Sequence, residues 1–255
     1  MGSLGAERVA RGLANGSTFL VTFDSHATIP ALVDQPPLDV ENDLEPVLLV
    51  GTAPYVIAAN PSLPFNNFAD VIAAAKQKPA TVTYSSAGPG TIGHLAMVLL
   101  GKKSGVEMTH VPYKGAGPAI IDTVGGHVDL ISASIAILLP QIRAGTLKPL
   151  MQLGRVRADA LKDVPTAIEG GYPDFEASAW WGIFAPKGTP PDIISQASTA
   201  FSDALRQDVI AHQLRETQQI NLTLAGPADF RKFFSRQIEV WGKVIRENNI
   251  KAQSS

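Results

Sequence analysis

Short apolar runs alternate with longer amphipathic segments along the whole chain, and this alternation constrains the fold more than any other feature. Segments 18–23, 81–85 and 180–185 are rich in β-branched and aromatic residues, as strands are. Segment 91–103 is instead predicted to be a helix that follows directly from a small-residue loop. Strands that alternate with helices predict an α/β protein.

Local signals predict where several of these elements begin and end. Pro54 interrupts an apolar stretch, so we predict two separate strands, 46–52 and 55–59. A short helix is expected over 7–13, and Thr189 is expected to cap a later helix. Two helical stripes indicate core packing, and they comprise Ile193, Ala197, Phe201 and Leu205 in one helix and Phe230, Phe233, Phe234, Trp241 and Ile245 in the last.

Composition excludes several classes of function. The 255 residues include 21 Lys and Arg against 23 Asp and Glu, so no basic excess favours nucleic acid or an anionic membrane. The absence of cysteine removes disulfides, thiolate metal sites and Cys nucleophiles. No apolar run reaches the ~20 residues of a membrane span, and residues 1–7 do not resemble a signal peptide. We therefore expect a soluble chain with no direct membrane insertion.

A loop of small residues follows the predicted strand 81–85 and leads into a helix. Such a helix start presents unpaired backbone N–H groups and the positive end of the helix dipole, which suit a carboxylate or a phosphate. The loop lacks the Gly-Lys-Ser/Thr of a nucleotide-binding P-loop, and an ordinary strand-to-helix turn is the alternative. Its candidate ligand residues are Ser85, Ser86, Ala87, Gly88, Gly90 and Thr91.

A second loop repeats this design after the predicted strand 109–113. Gly115, Ala116 and Gly117 form its small-residue turn before the next helix. Two such loops favour a shared anion site if they lie on facing walls. Lys114 has the charge to pair with an anion, although a surface lysine at a turn is the alternative interpretation.

No arrangement of catalytic or metal-binding residues is found in the sequence. It contains no nucleophile elbow, no His-Glu-x-x-His and no dinucleotide-binding glycine pattern, so neither a metal nor a cofactor is expected. The five histidines are scattered. His26 follows a strand, where either a ligand contact or a structural role is open, and His94 in the first turn of its helix is expected to pack structurally.

Several strings, spaced along nearly the whole chain, together resemble one protein family. They include Asn60-Pro61-Ser62-Leu63-Pro64, Tyr84-Ser85-Ser86-Ala87-Gly88, His110-Val111-Pro112-Tyr113-Lys114-Gly115, Gly125-Gly126-His127-Val128-Asp129 and Trp241-Gly242-Lys243-Val244. The chain resembles the substrate-binding proteins of tripartite tricarboxylate transporters, known as Bug or TctC-like receptors. His110 to Gly115 is the most specific of these strings.

The resemblance implies a two-lobed type II periplasmic-binding-protein fold with two crossing strands. Residues 1–106 and 182–255 would form lobe 1, and residues 107–181 would form lobe 2, with crossings near 106–111 and 179–185. It implies a periplasmic monomer that captures a small organic carboxylate between the lobes and delivers it to the membrane subunits of the transporter. The family position places Ser25 and His26 at the edge of the site.

Two departures from the family pattern shape the expectation. Ala133 stands where many members carry an Asp suited to a ligand ammonium group, so a mono- or dicarboxylate or an aromatic acid is favoured over an amino acid. Relative to the family, the chain is expected to lack the first strand, ligand loop and helix. An enzyme or the ligand-sensing domain of a regulator on the same scaffold are the alternatives.

Overall fold

The computed structural model describes residues 3–33, 36 and 38–251, and it divides into two compact units. The first unit comprises Met1–Thr52 and Trp180–Ser255, and the second comprises Ala53–Ala179. Every residue of the second unit is described. The expected α/β class is confirmed, because both units combine strands with helices.

The helices and strands are numbered here in chain order. The helices are α1 (Ser3–Ala10), α2 (Ile29–Leu32), α3 (Phe68–Gln77), α4 (Ile92–Ser104), α5 (Ala116–Val124), α6 (Ile135–Arg143), α7 (Pro191–Arg206), α8 (Asp208–His212) and α9 (Pro227–Glu247). The strands are β1 (Leu20–Phe23), β2 (Leu44–Ala59), β3 (Thr83–Ser86), β4 (Thr109–Pro112), β5 (Leu130–Ser134), β6 (Lys148–Gln152), β7 (Ser178–Pro186) and β8 (Asn221–Ala225).

The first unit is built around an aromatic core. Strand β1 pairs antiparallel with β7, and β8 pairs antiparallel with the first part of β2. Helix α9 packs its apolar stripe on this sheet, so that Phe230 and Phe234 meet Trp180 and Phe184. The stripe of α7 packs on a neighbouring cluster around Ile183. The core role predicted for the α9 stripe is therefore confirmed. In α7 only Ala197, Phe201 and Leu205 pack on the cluster, each partly buried, while the buried residues of this helix are Ile194, Ser198 and Ser202.

The second unit contains a mixed sheet in the order β6-β2-β5-β3-β4. Strand β3 runs parallel to both β4 and β5, whereas β2 is antiparallel to β5 and β6. Tyr84 of β3 stacks on His94 of α4, while the next residue, Ser85, bonds to Thr123 of α5. Successive strand residues point to opposite faces, so α4 and α5 cover opposite faces of the sheet.

The two strands predicted on either side of Pro54 are one strand. Residues up to Thr52 pair with β8, whereas pairing with β5 begins at Tyr55. Pro54 lies between these two ladders, so its missing N–H group interrupts neither the pairing with β8 nor that with β5. The predicted break was wrong because the strand changes its partner at the proline instead of ending there.

This long strand also moves the expected boundary between the units. The first division falls at 52/53 within β2, not at 106/107, and the second falls at 179/180 instead of 181/182. Strand β4, which lies at the expected first crossing, pairs with β3 inside the second unit. The chain passes between the units in β2 and β7, since these are the strands that contain the divisions.

Smaller differences concern element ends. Helix α1 ends at Ala10, earlier than the expected 7–13, and Gly12 closes the turn by donating to Val9 O. Thr189 does not cap α7; its hydroxyl donates to Pro186 O, 2.8 Å away. Strand β8 was not predicted. Among the described residues, the structure contains no helix long and apolar enough to cross a membrane.

Candidate functional site

The first glycine loop connects the end of β3 to the start of α4. Gly88 has φ +134° and Gly90 has φ +73°, a region that residues with a side chain rarely adopt. A Cβ atom at Gly88 would also lie 3.1 Å from Tyr113 O. The glycines therefore allow a tight turn that brings the chain from the carboxyl end of β3 directly into α4.

Hydrogen bonds from the loop backbone to nearby side chains order this loop. The Gly88 N–H donates to Ser86 Oγ at 3.2 Å, and the Gly90 N–H donates to His94 Nδ1 at 3.1 Å. Ser86 Oγ in turn lies 2.8 Å from His110 Nε2. The Thr91 hydroxyl donates to Gly88 O at 2.7 Å. The amide groups of both glycines are therefore engaged inside the protein.

The start of α4 differs in its capping from the starts of α3 and α6 in the same unit. Asn67 caps α3 by accepting from Asp70 N, and Ser134 caps α6 by accepting from Ala136 N. At α4 the N-cap residue is Thr91, whose hydroxyl turns back to Gly88. Helix geometry leaves the first N–H groups of α4 without an intrahelical acceptor, so they are donors for an anion.

The second glycine loop lies against the first. Gly115 N donates to Ala87 O at 3.1 Å, and Tyr113 N donates to Ser86 O at 3.3 Å. Gly115, with φ +111°, is the N-cap of α5 and has no side chain to cap it. The structure therefore brings together the two loops that the sequence singled out, each ending in a helix start without a side-chain cap.

The side chains of the second loop are anchored at α5. The Tyr113 hydroxyl donates to Asp122 Oδ2 at 2.6 Å. Burial and the Asp122 carboxylate raise the pKa of Tyr113 to about 12, so the phenol keeps its proton at neutral pH. Ala116 is half-buried, and Gly117 and Lys114 are exposed.

Three rings are stacked beside the first loop. The centroids of His94 and His110 lie 3.9 Å apart with an interplanar angle of 11°, and Tyr84 stacks on His110 at 4.9 Å. Burial lowers the pKa of His94 to about 4, and burial together with His94 lowers that of His110 to about 3. Both imidazoles are therefore neutral at pH 7. The stacking of His94 agrees with its expected packing role, but the residue pattern did not predict its bond to Gly90.

Sequence reasoning also missed the contact that seats α4 on the sheet. A Cβ atom at Gly93 would lie 2.2 Å from Ser132 O and 3.2 Å from the Tyr55 ring, so only glycine permits this approach. Among the described residues, Ser132 Oγ is a buried atom with no hydrogen-bond partner. A glycine in the first turn of a predicted helix was the one available signal, because glycine is otherwise unfavourable there.

The remaining predicted residues lie elsewhere. Ser85 is fully buried and bonds to Thr123 on the α5 face of the sheet. Ala133 is buried and pairs with Val56, so it points to the face opposite that of Ser132. At position 133, where many family members carry an Asp, this chain therefore has a small apolar side chain that is buried on one face of the sheet.

Ser25 and His26 belong to the first unit. His26 is 2% exposed, and its ring lies 5.9 Å from that of Phe184 and 6.1 Å from that of Phe234. Burial lowers the pKa of His26 to about 4. Ser25 is half-buried and its carbonyl accepts from Thr28 Oγ1. These contacts favour the structural role that the sequence left open for His26. In the part of the chain that the structure describes, no group of His, Asp and Glu side chains could hold a metal ion.

Comparisons with known proteins agree with this architecture. The family described as "Tripartite tricarboxylate transporter family receptor" matches residues 1–250. Protein BugT from Bordetella pertussis is 33% identical over 252 residues, which cover 98% of this chain and 77% of BugT. An R. palustris protein determined with adipate is 31% identical with a TM-score of 0.89, covering 98% of this chain and 84% of its own. MatC from Rhodopseudomonas palustris with bound malate is 29% identical with a TM-score of 0.84, covering 96% and 84%.

Proposed function

Because the chain belongs to the tripartite tricarboxylate transporter receptor family, a family of solute-binding receptors, we propose that it captures a small carboxylate for such a transporter. We place a carboxylate group of the ligand at the start of α4, beside the loop from Ser86 to Thr91. The second loop, from Gly115 to Gly117, is the other proposed contact, because its backbone bonds to the first loop.

One observation carries this proposal. Helices α4 and α5 begin without a side-chain cap, although α3 and α6 in the same unit are capped by Asn67 and Ser134. Unpaired N–H groups and the positive end of a helix dipole stabilise a bound anion. The segments 84–94 and 113–119 contain no Asp or Glu, so no carboxylate of these loops competes for the same donors.

The proposed ligand class is a mono- or dicarboxylate or an aromatic acid without an amino group. An ammonium group needs an acidic partner or several acceptors, and position 133 offers only an alanine that is buried against the sheet. The similar proteins determined with adipate and with malate support a dicarboxylate.

The other parts of the proposal follow from the family. We propose that the protein works in the periplasm as a monomer, hands its ligand to the membrane subunits of the transporter and leaves the ligand chemically unchanged. A receptor of this kind has to release what it binds, so the affinity has to come from reversible contacts such as backbone hydrogen bonds.

Calorimetric titration with adipate, malate, benzoate and glutamate tests the proposal. We expect adipate or malate to bind and glutamate to give no heat of binding. Binding of glutamate alone would contradict the proposed ligand class. Mass spectrometry of ligand retained through native purification is the second test, in which a single intact acid is expected and a substrate–product mixture would instead indicate an enzyme.

A further inference from the structure

The amide groups of both loop glycines lead to the same pair of stacked rings. Gly90 N–H donates directly to His94 Nδ1 at 3.1 Å. Gly88 N–H donates to Ser86 Oγ, which lies 2.8 Å from His110 Nε2. The two rings are in contact with each other, with centroids 3.9 Å apart. A packing role alone would place the rings here but would not require one ring nitrogen to face Gly90 N and another to lie within hydrogen-bond distance of Ser86 Oγ.

The charge state of His94 suits it to accept the bond from Gly90. Burial keeps the pKa of both His94 and His110 well below 7, so each ring is neutral and has one nitrogen with a free lone pair. Since His94 Nδ1 accepts from Gly90, the proton of this ring is on Nε2. A protonated imidazole has no acceptor and could not hold the glycine amide.

We propose that His94 and His110 are positioning residues for the carboxylate site, because they hold the Gly90 amide and, through Ser86, the Gly88 amide inside the loop. The proposal rests on the function proposed above. It also narrows the choice of donors, because the amides of Gly88 and Gly90 are already engaged inside the protein and are not free to bind the ligand carboxylate.

The physical reason lies in the loop itself. Two glycines and small neighbours leave the backbone from Ser86 to Thr91 with many accessible conformations, and ordering them on binding would cost affinity. Internal acceptors order the loop before the ligand arrives. Removing an acceptor leaves the N–H group of a buried glycine unpaired, which destabilises the ordered loop.

A pair of substitutions at position 94 separates positioning from packing. In His94→Asn, the Oδ1 atom replaces Nδ1 as acceptor but the ring stack is lost. In His94→Phe, the ring stack is kept but the acceptor is lost. We expect H94N to bind adipate or malate within about threefold of the wild type, and H94F to bind about tenfold more weakly or worse, since one lost bond corresponds to about 1.4 kcal/mol.

The same logic applies at position 110. His110→Gln keeps a hydrogen-bonding partner for Ser86 Oγ and His110→Phe does not, so the glutamine variant is expected to retain affinity. His212 is an exposed histidine of the first unit, and His212→Asn is the control that should leave binding unchanged. Equal affinity of the asparagine and phenylalanine variants at 94, or tighter binding by phenylalanine at either position, would overturn the proposal.

Amide hydrogen exchange gives a readout that needs no ligand. The Gly90 amide should exchange slowly in the wild type and in H94N, and at least about tenfold faster in H94F, because only the last lacks an acceptor. Exchange that is equally slow in H94F would overturn the positioning role. If the wild type binds none of the acids, the proposed function fails, while the exchange result still decides whether the histidines hold the loop.

Discussion

Helices α3 and α4 follow one another in the second unit, and they differ in capping: a side chain accepts a hydrogen bond from the first turn of α3, but none does so at α4. At α3, Asn67 Oδ1 accepts from Asp70 N at 3.0 Å, and Asp70 reaches back to Asn66 N at 2.7 Å. At α4, the hydroxyl of Thr91 turns away to Gly88. One helix start is capped by its own side chains, whereas the other has no side-chain cap and is the start at which we propose that the ligand binds.

Closing α4 in the way that α3 is closed should cause the largest change in binding. In Thr91→Asp, a carboxylate at the N-cap accepts the first-turn N–H groups and occupies the proposed place of the ligand carboxylate. We expect about 100-fold weaker binding of adipate or malate by calorimetry, with stability raised by about 0.5–1 kcal/mol in urea unfolding. Unchanged affinity would show that the ligand does not use this helix start.

Thr91→Ser is the matched control for that variant. It keeps an uncharged hydroxyl at the N-cap position, where Thr91 bonds to Gly88 O. Its affinity should remain within about threefold of the wild type, because no negative charge is added.

A substitution that moves α4 away from the sheet should cause the second-largest loss of ligand affinity. In Gly93→Ala, the new Cβ atom would lie 2.2 Å from Ser132 O, so the backbones must separate. We expect a loss of about 1–3 kcal/mol in unfolding free energy and a weaker affinity, measured by urea unfolding and calorimetry. Gly5→Ala in α1, where a Cβ atom would meet nothing within 4 Å, is the control and should not be destabilised. A stable G93A variant would contradict the close approach.

Low pH should destabilise the start of α4 but not that of α3. The loop before α4 is held by the titratable His94, whereas α3 is capped by the side-chain amide of Asn67, which does not titrate. The pKa of His94 is lowered to about 4 in the folded protein, so the unfolded chain binds the proton first. Stability is therefore complete above the ordinary histidine pKa of about 6.5 and falls as the pH drops from there towards 4.

The size of this effect can be measured with one variant. Keeping one histidine neutral at pH 5 lowers the free energy of unfolding by about 2 kcal/mol, and H94N removes this contribution. Urea unfolding at pH 7 and pH 5 should show a smaller loss for H94N than for the wild type. An equal loss in both proteins would mean that His94 is not held neutral in the fold. His26→Phe should remove a similar share in the first unit, where burial also lowers the pKa of His26 to about 4.

Opening α3 should have the smallest effect on function. Asn67→Ala removes the side-chain cap and should lower stability by about 1 kcal/mol in urea unfolding. Its affinity for adipate or malate should equal that of the wild type in calorimetry. A drop in affinity as large as that of T91D would show that the two helix starts do not have separate roles.

Patterns within short segments predicted the elements on which the site is built. The two glycine loops, the helices after them and the core stripe of α9 follow from residue types and their spacing, since glycine, β-branched and apolar residues act on the chain close by. The single strand across Pro54, the unit boundary at 52/53 and strand β8 were not predictable in this way, because a partner strand distant in sequence decides each of them.

The sequence by itself determined the α/β class, the family and the loops that offer backbone donors, because these depend on local composition and order. Only the tertiary structure decided how those donors are used. It brought His94 and His110 into contact from α4 and β4, engaged the Gly88 and Gly90 amides and left the start of α4 uncapped. Hydrogen bonds depend on atoms within about 3 Å of each other, and such distances across a sheet are set by packing and register.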